Sequence, residues 1–484
     1  MRLSFSFNLS GAALALLAGC AVGPSPDVRP APQAAARAAP QPAPERAFLD
    51  SLVQASTLAA AAAPLAVDNA TEFGWLELMR DTQLVALVRT AVANNRDLQN
   101  ATALVREFRA NQAAARGFLM PEIDLNGGAA RQRLVFGGTA FPDFNAFRGT
   151  ADASWEVDFW GRVRRGVQAA GFDASATADN RRAVLLSLVA DVTSAYLGLL
   201  ELDEDLRIAE RTLASRQQTL KLARDRFRQG VISELDVRQF ESEVATAARS
   251  AAGFTFFRAQ AESQLSVLLG QAPGPIPRGA PLAETVRAVS LPDSLPSTML
   301  ARRPDVMRAR DGWSAAMARV GVAAAARLPR FQITAEYGTQ STTLRNMFSA
   351  GTGIYTLQAG VSVPLFTGGR VEAQQRAAQA RADELKASYE QTVLISLREA
   401  SDALSGVRLS RDALAAQESQ VRALRRAVEL AERRYENGVS SNLEVLDVER
   451  GLFGAEIALA QTQRDYLGAT VQLYKVMGGN WVER

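Results

Sequence analysis

The chemistry open to this chain rests on carboxylates, three lysines and one thiol. Histidine is absent and cysteine occurs once, as Cys20. A Ser-His-Asp or Cys-His centre therefore cannot form, nor can a mixed Cys/His zinc site or a haem held by His. A single cysteine also excludes an internal disulfide and any cysteine-cluster metal site. The nearest approach to an acid–base pair is Glu156 with Asp158, whose spacing puts both side chains on one face of a strand. Two such carboxylates could serve a hydrolase, but they equally describe the polar wall of a lumen. Neither Gly137-Gly138 nor Gly368-Gly369 belongs to a Gly-x-x-x-x-Gly-Lys phosphate loop. The expectation is a protein that is not an enzyme and carries no cofactor or metal.

The 484 residues hold 54 Lys and Arg against 51 Asp and Glu, a net charge of +3. Only Lys221, Lys386 and Lys475 are lysine, so arginine supplies nearly all the positive charge. These arginines alternate with carboxylates along the chain, the pattern of solvated helix faces, and no nucleic-acid partner is expected.

The one thiol is well placed. Met1-Arg2 leads into an apolar run that ends at Leu17-Ala18-Gly19-Cys20. From Gly11 to Val22 the run is too short to span a bilayer and reads as an export signal. Leu-Ala-Gly-Cys resembles a bacterial lipoprotein signal, which implies a signal peptide over residues 1–19 and lipidation of Cys20. That resemblance also implies that Ala21 does not retain the protein at the inner membrane. Residues 20–70, rich in Pro and Ala, read as an extended tether.

The body that must position everything else is a tandem duplication. Gly161-Arg162-Val163 returns as Gly369-Arg370-Val371, 208 residues on. The stretch from Arg226 to Val237 returns at the same offset as Arg434 to Val445, and the register also pairs Asp97 with Asp305 and Gly270 with Gly478. One ungapped offset over so many residues predicts two copies, 84–276 and 292–484. Each copy opens with a helix ending near Arg116 or Arg327 and continues into two strands. Apolar residues alternate with polar ones at Ala151, Ala153, Trp155, Val157 and Phe159, and again at Tyr355, Leu357, Ala359, Val361, Val363 and Leu365. Phe331, Ile333, Ala335 and Tyr337 alternate in the same way. A period of two over about ten residues suits a membrane barrel strand, apolar to lipid and polar to lumen, as well as a half-buried soluble hairpin. The paired strands are expected to be joined by polar, Gly-containing loops, at Gly137-Gly138 and at Ser341 to Gly351.

Long proline-free stretches follow, Gly161–Gln229 and Gly369–Asn437. As helices each would run on the order of 100 Å. Gly230 and Gly438 fit left-handed caps after a helix end. Ser233 with Asp236, and Ser441 with Glu444, fit capping boxes that open a returning helix. That helix keeps a seven-residue seam through Val445, Leu452, Leu459, Tyr466 and Leu473. Each copy thus folds as a long helical hairpin with a tight tip.

Four strands cannot close a barrel, and lipid does not tolerate open sheet edges. If the hairpins are transmembrane, chains must share one barrel. Two would give eight strands and a filled interior; three give twelve and room for a channel. The Leu-Ala-Gly-Cys start, the Trp-Glu-Val-Asp-Phe-Trp-Gly-Arg and Val-Pro-Leu-Phe-Thr-Gly-Gly-Arg corners, Arg303-Pro304-Asp305 and the two Gly-Val tips resemble the outer membrane factor family, TolC-like efflux channels, in its NodT-type lipoprotein branch. The resemblance implies an α+β membrane protein: a homotrimer with a twelve-stranded β-barrel, four strands per chain, continued by a helical periplasmic tunnel. It implies a periplasmic adaptor and an inner-membrane pump of the resistance-nodulation-division type as partners. By the same resemblance, Leu443 and Asp447 narrow the closed periplasmic end, and Arg434 and Tyr435 hold it. The adaptor is expected at Gly230, Val231, Ser233, Leu235, Gly438, Val439, Ser441 and Leu443. A type I secretion channel and a membrane-tethered coiled-coil scaffold are the other readings.

Overall fold

The computed structural model describes Leu76, residues 79–288 and residues 302–478. The expected signal peptide, Cys20 and the tether lie outside the described residues. In chain order the elements are α1 (Thr82–Asn94), α2 (Arg96–Gly117), β1 (Glu122–Gln132), β2 (Val135–Phe136), β3 (Thr139–Ala140), β4 (Phe144–Val157), α3 (Arg162–Arg228) and α4 (Glu234–Leu268). They are followed by α5 (Leu282–Ala288), α6 (Pro304–Ala325), β5 (Arg330–Ser341), β6 (Gly353–Ser362), α7 (Arg370–Glu436) and α8 (Asn442–Val476). The offset read from the sequence governs the fold. Helices α6, α7 and α8 begin and end 208 residues after α2, α3 and α4.

The chain divides into two compact units. The first takes in Ala103–Ala178 and Arg308–Gln391. Its sheet is antiparallel, in the order β1-β4-β5-β6. The register lines up like with like. Leu125, Ala151, Tyr337 and Tyr355 form one cross-strand row, and Ile123, Ala153, Ala335 and Leu357 another. Between them runs the polar row Asp124, Asp152, Glu336 and Thr356. Within the polar face Asn126 Nδ2 donates to Asp152 at 2.6 Å, Thr150 Oγ1 donates to the same carboxylate at 3.1 Å, and Arg148 pairs with Glu336. The apolar face is uncovered: Leu125 is 86% exposed and Tyr355 83%. Outer strands β1 and β6 each lack a second neighbour among the described residues.

Three expectations for this unit need correction. Val363 and Leu365 lie beyond β6, which stops at Ser362, two residues before Pro364; proline cannot donate to a ladder. Phe159 lies beyond β4, because Asp158 already accepts from the backbone N–H groups of Val163 (3.0 Å) and Arg164 (2.8 Å) and so opens α3. The Gly137-Gly138 segment is a small β2–β3 hairpin, with φ of +57° and +82° at the two glycines; a two-residue hairpin turn of type I′ requires both to be positive. The corner after β4 is firm. Arg162 grips Glu156 with two hydrogen bonds, of 2.8 and 2.6 Å, and Trp160 Nε1 donates to Pro329 O at 2.8 Å. Glu156 and Asp158, the candidate acid–base pair, therefore hold a strand-to-helix turn. Small side chains let α6 and α7 approach through Ala316, Val320 and Ala382, beside stacked Trp313 and Tyr389.

The second unit comprises Asp179–Met307, Thr392–Arg484 and the chain before Ala103, as far as each is described. Its core joins Leu84, Leu87 and Val88 of α1, Val189, Tyr196 and Leu199 of α3, Leu265 of α4, and Leu467, Val471 and Tyr474 of α8. The most apolar window of α3 is more than half buried, so that stretch packs as a core helix. Tyr196 ties this core together: its hydroxyl donates to Asp81 and accepts from Gly279 N–H, both at 2.8 Å. Asp81 in turn caps α1 through the N–H groups of Gln83 and Leu84. Near the hairpin tips a smaller cluster gathers Leu220 and Ala223 of α3, Val237 and Phe240 of α4, and Leu446 of α8.

Candidate functional site

Both hairpin tips are built by the same backbone device. Past the end of α3, Gly230 takes φ +76°. Its N–H donates to Phe227 O at 2.9 Å, and Val231 N–H reaches back to Arg226 O at 2.9 Å. Gly438, at φ +72°, repeats this with Tyr435 O at 3.0 Å while Val439 reaches Arg434 O at 2.9 Å. This is the left-handed helix end that glycine permits without a Cβ penalty.

The two tips then diverge. Ser233 and Asp236 form the expected capping box at the start of α4. Ser441 and Glu444 do not: Ser441 makes no side-chain cap bond, and the Glu444 carboxylate instead meets Arg434 Nε at 3.1 Å. An arginine within reach offers the carboxylate an ion pair, which competes with the short bond to a backbone N–H. Val231, Leu235, Val439 and Leu443 are each more than half exposed. Four apolar side chains standing in solvent at two adjacent turns form a surface suited to an apolar partner.

The expected gate residues sit together on this end of the unit. Leu443 and Asp447 are exposed on the first turns of α8. Arg434 is held by Glu444. Tyr435 lies under the Arg226 guanidinium, 4.9 Å from ring centroid to Cζ, a cation–π contact between the two hairpins. Asn442 Nδ2 donates to Gln239 Oε1 at 2.8 Å, a second link between them. Gln239 is the repeat counterpart of Asp447, so the polar group that the first copy uses for a link is replaced in the second by an outward charge.

Sequence reasoning missed the layer above. Glu243 of α4 accepts from Arg216 of α3 at 2.8 Å and from Arg450 of α8. Glu456 of α8 accepts from Arg425 of α7 at 2.9 Å and from Arg211 of α3. Arg450 is held above its ordinary pKa, chiefly by the hydrogen bond to Glu243, with the charge of Asp447 adding to it. A signal for Glu456 existed. It stands four residues after Leu452 and four before Ala460, a carboxylate on the seam face of α8.

A family model described as outer membrane efflux protein matches the chain twice, at residues 87–271 and 295–479. The chain belongs to the outer membrane efflux protein family. The two matches are again 208 residues apart. The chain is 32% identical over 423 residues to the probable efflux pump outer membrane protein TtgC of Pseudomonas putida, covering 86% of this chain and 87% of that protein. The solved outer-membrane channel OprN is similar at a TM-score of 0.78 and 27% identity, over 87% of this chain and 97% of that one. CusC, whose structures concern transmembrane channel formation, is similar at 0.77 and 29%, over 86% and 95%. As an outer membrane efflux protein the chain is a transport protein of the outer membrane, the component of an efflux pump that lies there, with a periplasmic helical tunnel.

Proposed function

We propose that three copies of this chain close one twelve-stranded barrel and form a passive conduit, which a periplasmic adaptor and an inner-membrane pump of the resistance-nodulation-division type supply with substrate. The observation that carries this reading is the sheet. It has an apolar face open to its surroundings and two outer strands with unused hydrogen-bonding edges among the described residues. In lipid the face is an asset and the edges are not, so strands of neighbouring copies must pair β1 to β6. Copies 84–276 and 292–484 each contribute one hairpin to the barrel and one to the tunnel, and Cys20 carries the lipid anchor.

The tips are the gate and the adaptor contact. Three-fold symmetry would bring three Leu443 and three Asp447 side chains around one axis, an apolar constriction beside a ring of carboxylates. Arg434 with Glu444, and Tyr435 with Arg226, hold the closed arrangement. The adaptor takes the exposed turns at Gly230, Val231, Ser233, Leu235, Gly438, Val439, Ser441 and Leu443. Extraction tests the assembly. A trimer in the outer membrane fraction that resists dodecyl sulfate until boiled supports the reading, and a monomer released by salt defeats it. Labelling with radioactive palmitate, lost in Cys20→Ala, tests the anchor.

A further inference from the structure

The sheet sorts charge from apolar surface with one exception. Strands β1, β4, β5 and β6 contain eight charged residues, and seven of them fall in rows of the polar face. Arg131 alone falls on the apolar face, in line with Ile123, Leu125 and Ala129 of β1. The apolar rows begin at Val157, Phe331 and Val361 and end at Ala129 and Phe147, ten residues away on β4. Ten residues of strand run about 34 Å. At a tilt of about 40° that is a height of about 26 Å, close to the outward apolar band of a membrane barrel. Arg131 is in the next row, opposite Asn145, at the far end of β1 from α2. A charge on this face is costly in hydrocarbon and tolerated where the headgroups begin.

A second arginine stands beside the first. Arg133 follows one residue past the end of β1, and its Nε donates to Asp143 at 2.6 Å. Arg131 Nε lies 3.7 Å from the other oxygen of the same carboxylate. Two guanidiniums therefore share one acid, and their terminal nitrogens make no hydrogen bond among the described residues. Both side chains are mostly exposed, at 72% and 63%. Asp143 is the one acid in residues 130–148, so nothing else there competes for them. A guanidinium fork suits phosphate, which it can hold through two parallel N–H bonds.

We propose that Arg131 and Arg133 form a binding site for the phosphate of an outer-leaflet lipid headgroup, whose acyl chains lie along the apolar rows below. The proposal rests on the reading of that face as lipid-facing in a shared barrel. Asp143 is the competing partner that the phosphate displaces in part.

The test is native mass spectrometry of the purified full-length protein in detergent, with bisphosphorylated lipid A added as the probe. The parent should retain this lipid several-fold more than its dephosphorylated form. Arg131→Gln with Arg133→Gln should lower retention to the level of the dephosphorylated lipid. Asp143→Asn, which removes the competitor, should raise retention. An excess of inorganic phosphate should leave the lipid bound, because the acyl chains add apolar contact that a free ion lacks. Displacement by inorganic phosphate would mark a free-anion site and overturn the lipid assignment. Equal retention of phosphorylated and dephosphorylated lipid by the parent would mean contact through acyl chains alone, and it also overturns the proposal. The same spectra report assembly. Trimers that keep the lipid without either arginine overturn the proposal and leave the barrel reading standing. Monomers that lose the lipid with the arginines support the site and remove the shared barrel. Asp143→Asn carries the prediction in the opposite direction, so failure of the double variant to fold leaves it decisive: retention no higher than the parent's overturns the proposal.

Discussion

At the scale of single residues, burial decides which polar groups hold the molecule together. The Tyr196 hydroxyl is fixed between Asp81 and Gly279, and burial with the Asp81 bond pushes its pKa up. A Cβ on Gly279 would stand 2.1 Å from Asp81 Oδ1, on a carboxylate already committed to capping α1. Gly279→Ala should therefore lower the melting temperature, by an amount equal to about 1–3 kcal/mol, while Gly127→Ala in β1, with open space around it, should matter much less. Asp205 is the clearest case of a group at odds with its site. It is 2% exposed and its Oδ1 has no hydrogen-bond partner. Burial pushes its pKa up to about 7, Glu201 and Glu204 push the same way, and Arg464 opposes them. Because the folded value lies above the unfolded one, this group's contribution is most favourable below pH 4 and is lost as pH rises through 7. Asp205→Asn should raise the melting temperature at pH 8 by several degrees, less at pH 5 and least below pH 4, as differential scanning calorimetry would show.

At the scale of elements, the repeat offset made most of the fold legible. Helix breaks at Gly230 and Gly438, the paired long helices and the alternating strands all follow from local propensity, and the structure keeps them. What stayed hidden depends on partners far away in sequence. Ser441 and Glu444 have the spacing of a capping box, yet Arg434, reached only once the tip has turned, claims the glutamate. Glu243 looked like one more solvated charge until α8 brought Arg450 against it. Conversely, the β2–β3 hairpin at Gly137-Gly138 is readable from its two glycines, the pair that a two-residue type I′ turn requires. The left-handed tips give a direct check. Gly438→Ala places a Cβ in a conformation that costs an ordinary residue about 1–2 kcal/mol, with open space around it. It should loosen the tip locally, seen as faster amide exchange near Val439, without loss of the core. Gly338→Ala in β5 meets a harder limit, since its Cβ would fall 2.1 Å from Gly149 O across the β4–β5 pair. That variant should reduce the yield of assembled protein in the outer membrane.

At the scale of the whole molecule, the account joins an established place in the cell to a proposed way of working there. Membership of the outer membrane efflux protein family puts the chain in the outer membrane as part of an efflux pump. Glu156 and Asp158 hold the corner between β4 and α3. Adaptor binding belongs to this scale as well. Leu235→Glu with Val439→Glu should weaken capture of a periplasmic adaptor by the immobilised channel and leave the assembled channel intact, since both side chains are exposed. The central claim is that Leu443 and Asp447 close the conduit at its periplasmic end. Single-channel conductance of Leu443→Ala with Asp447→Ala in planar bilayers tests it most directly. The account predicts a conductance several-fold above that of the parent channel; a double variant with the parent's conductance would contradict it.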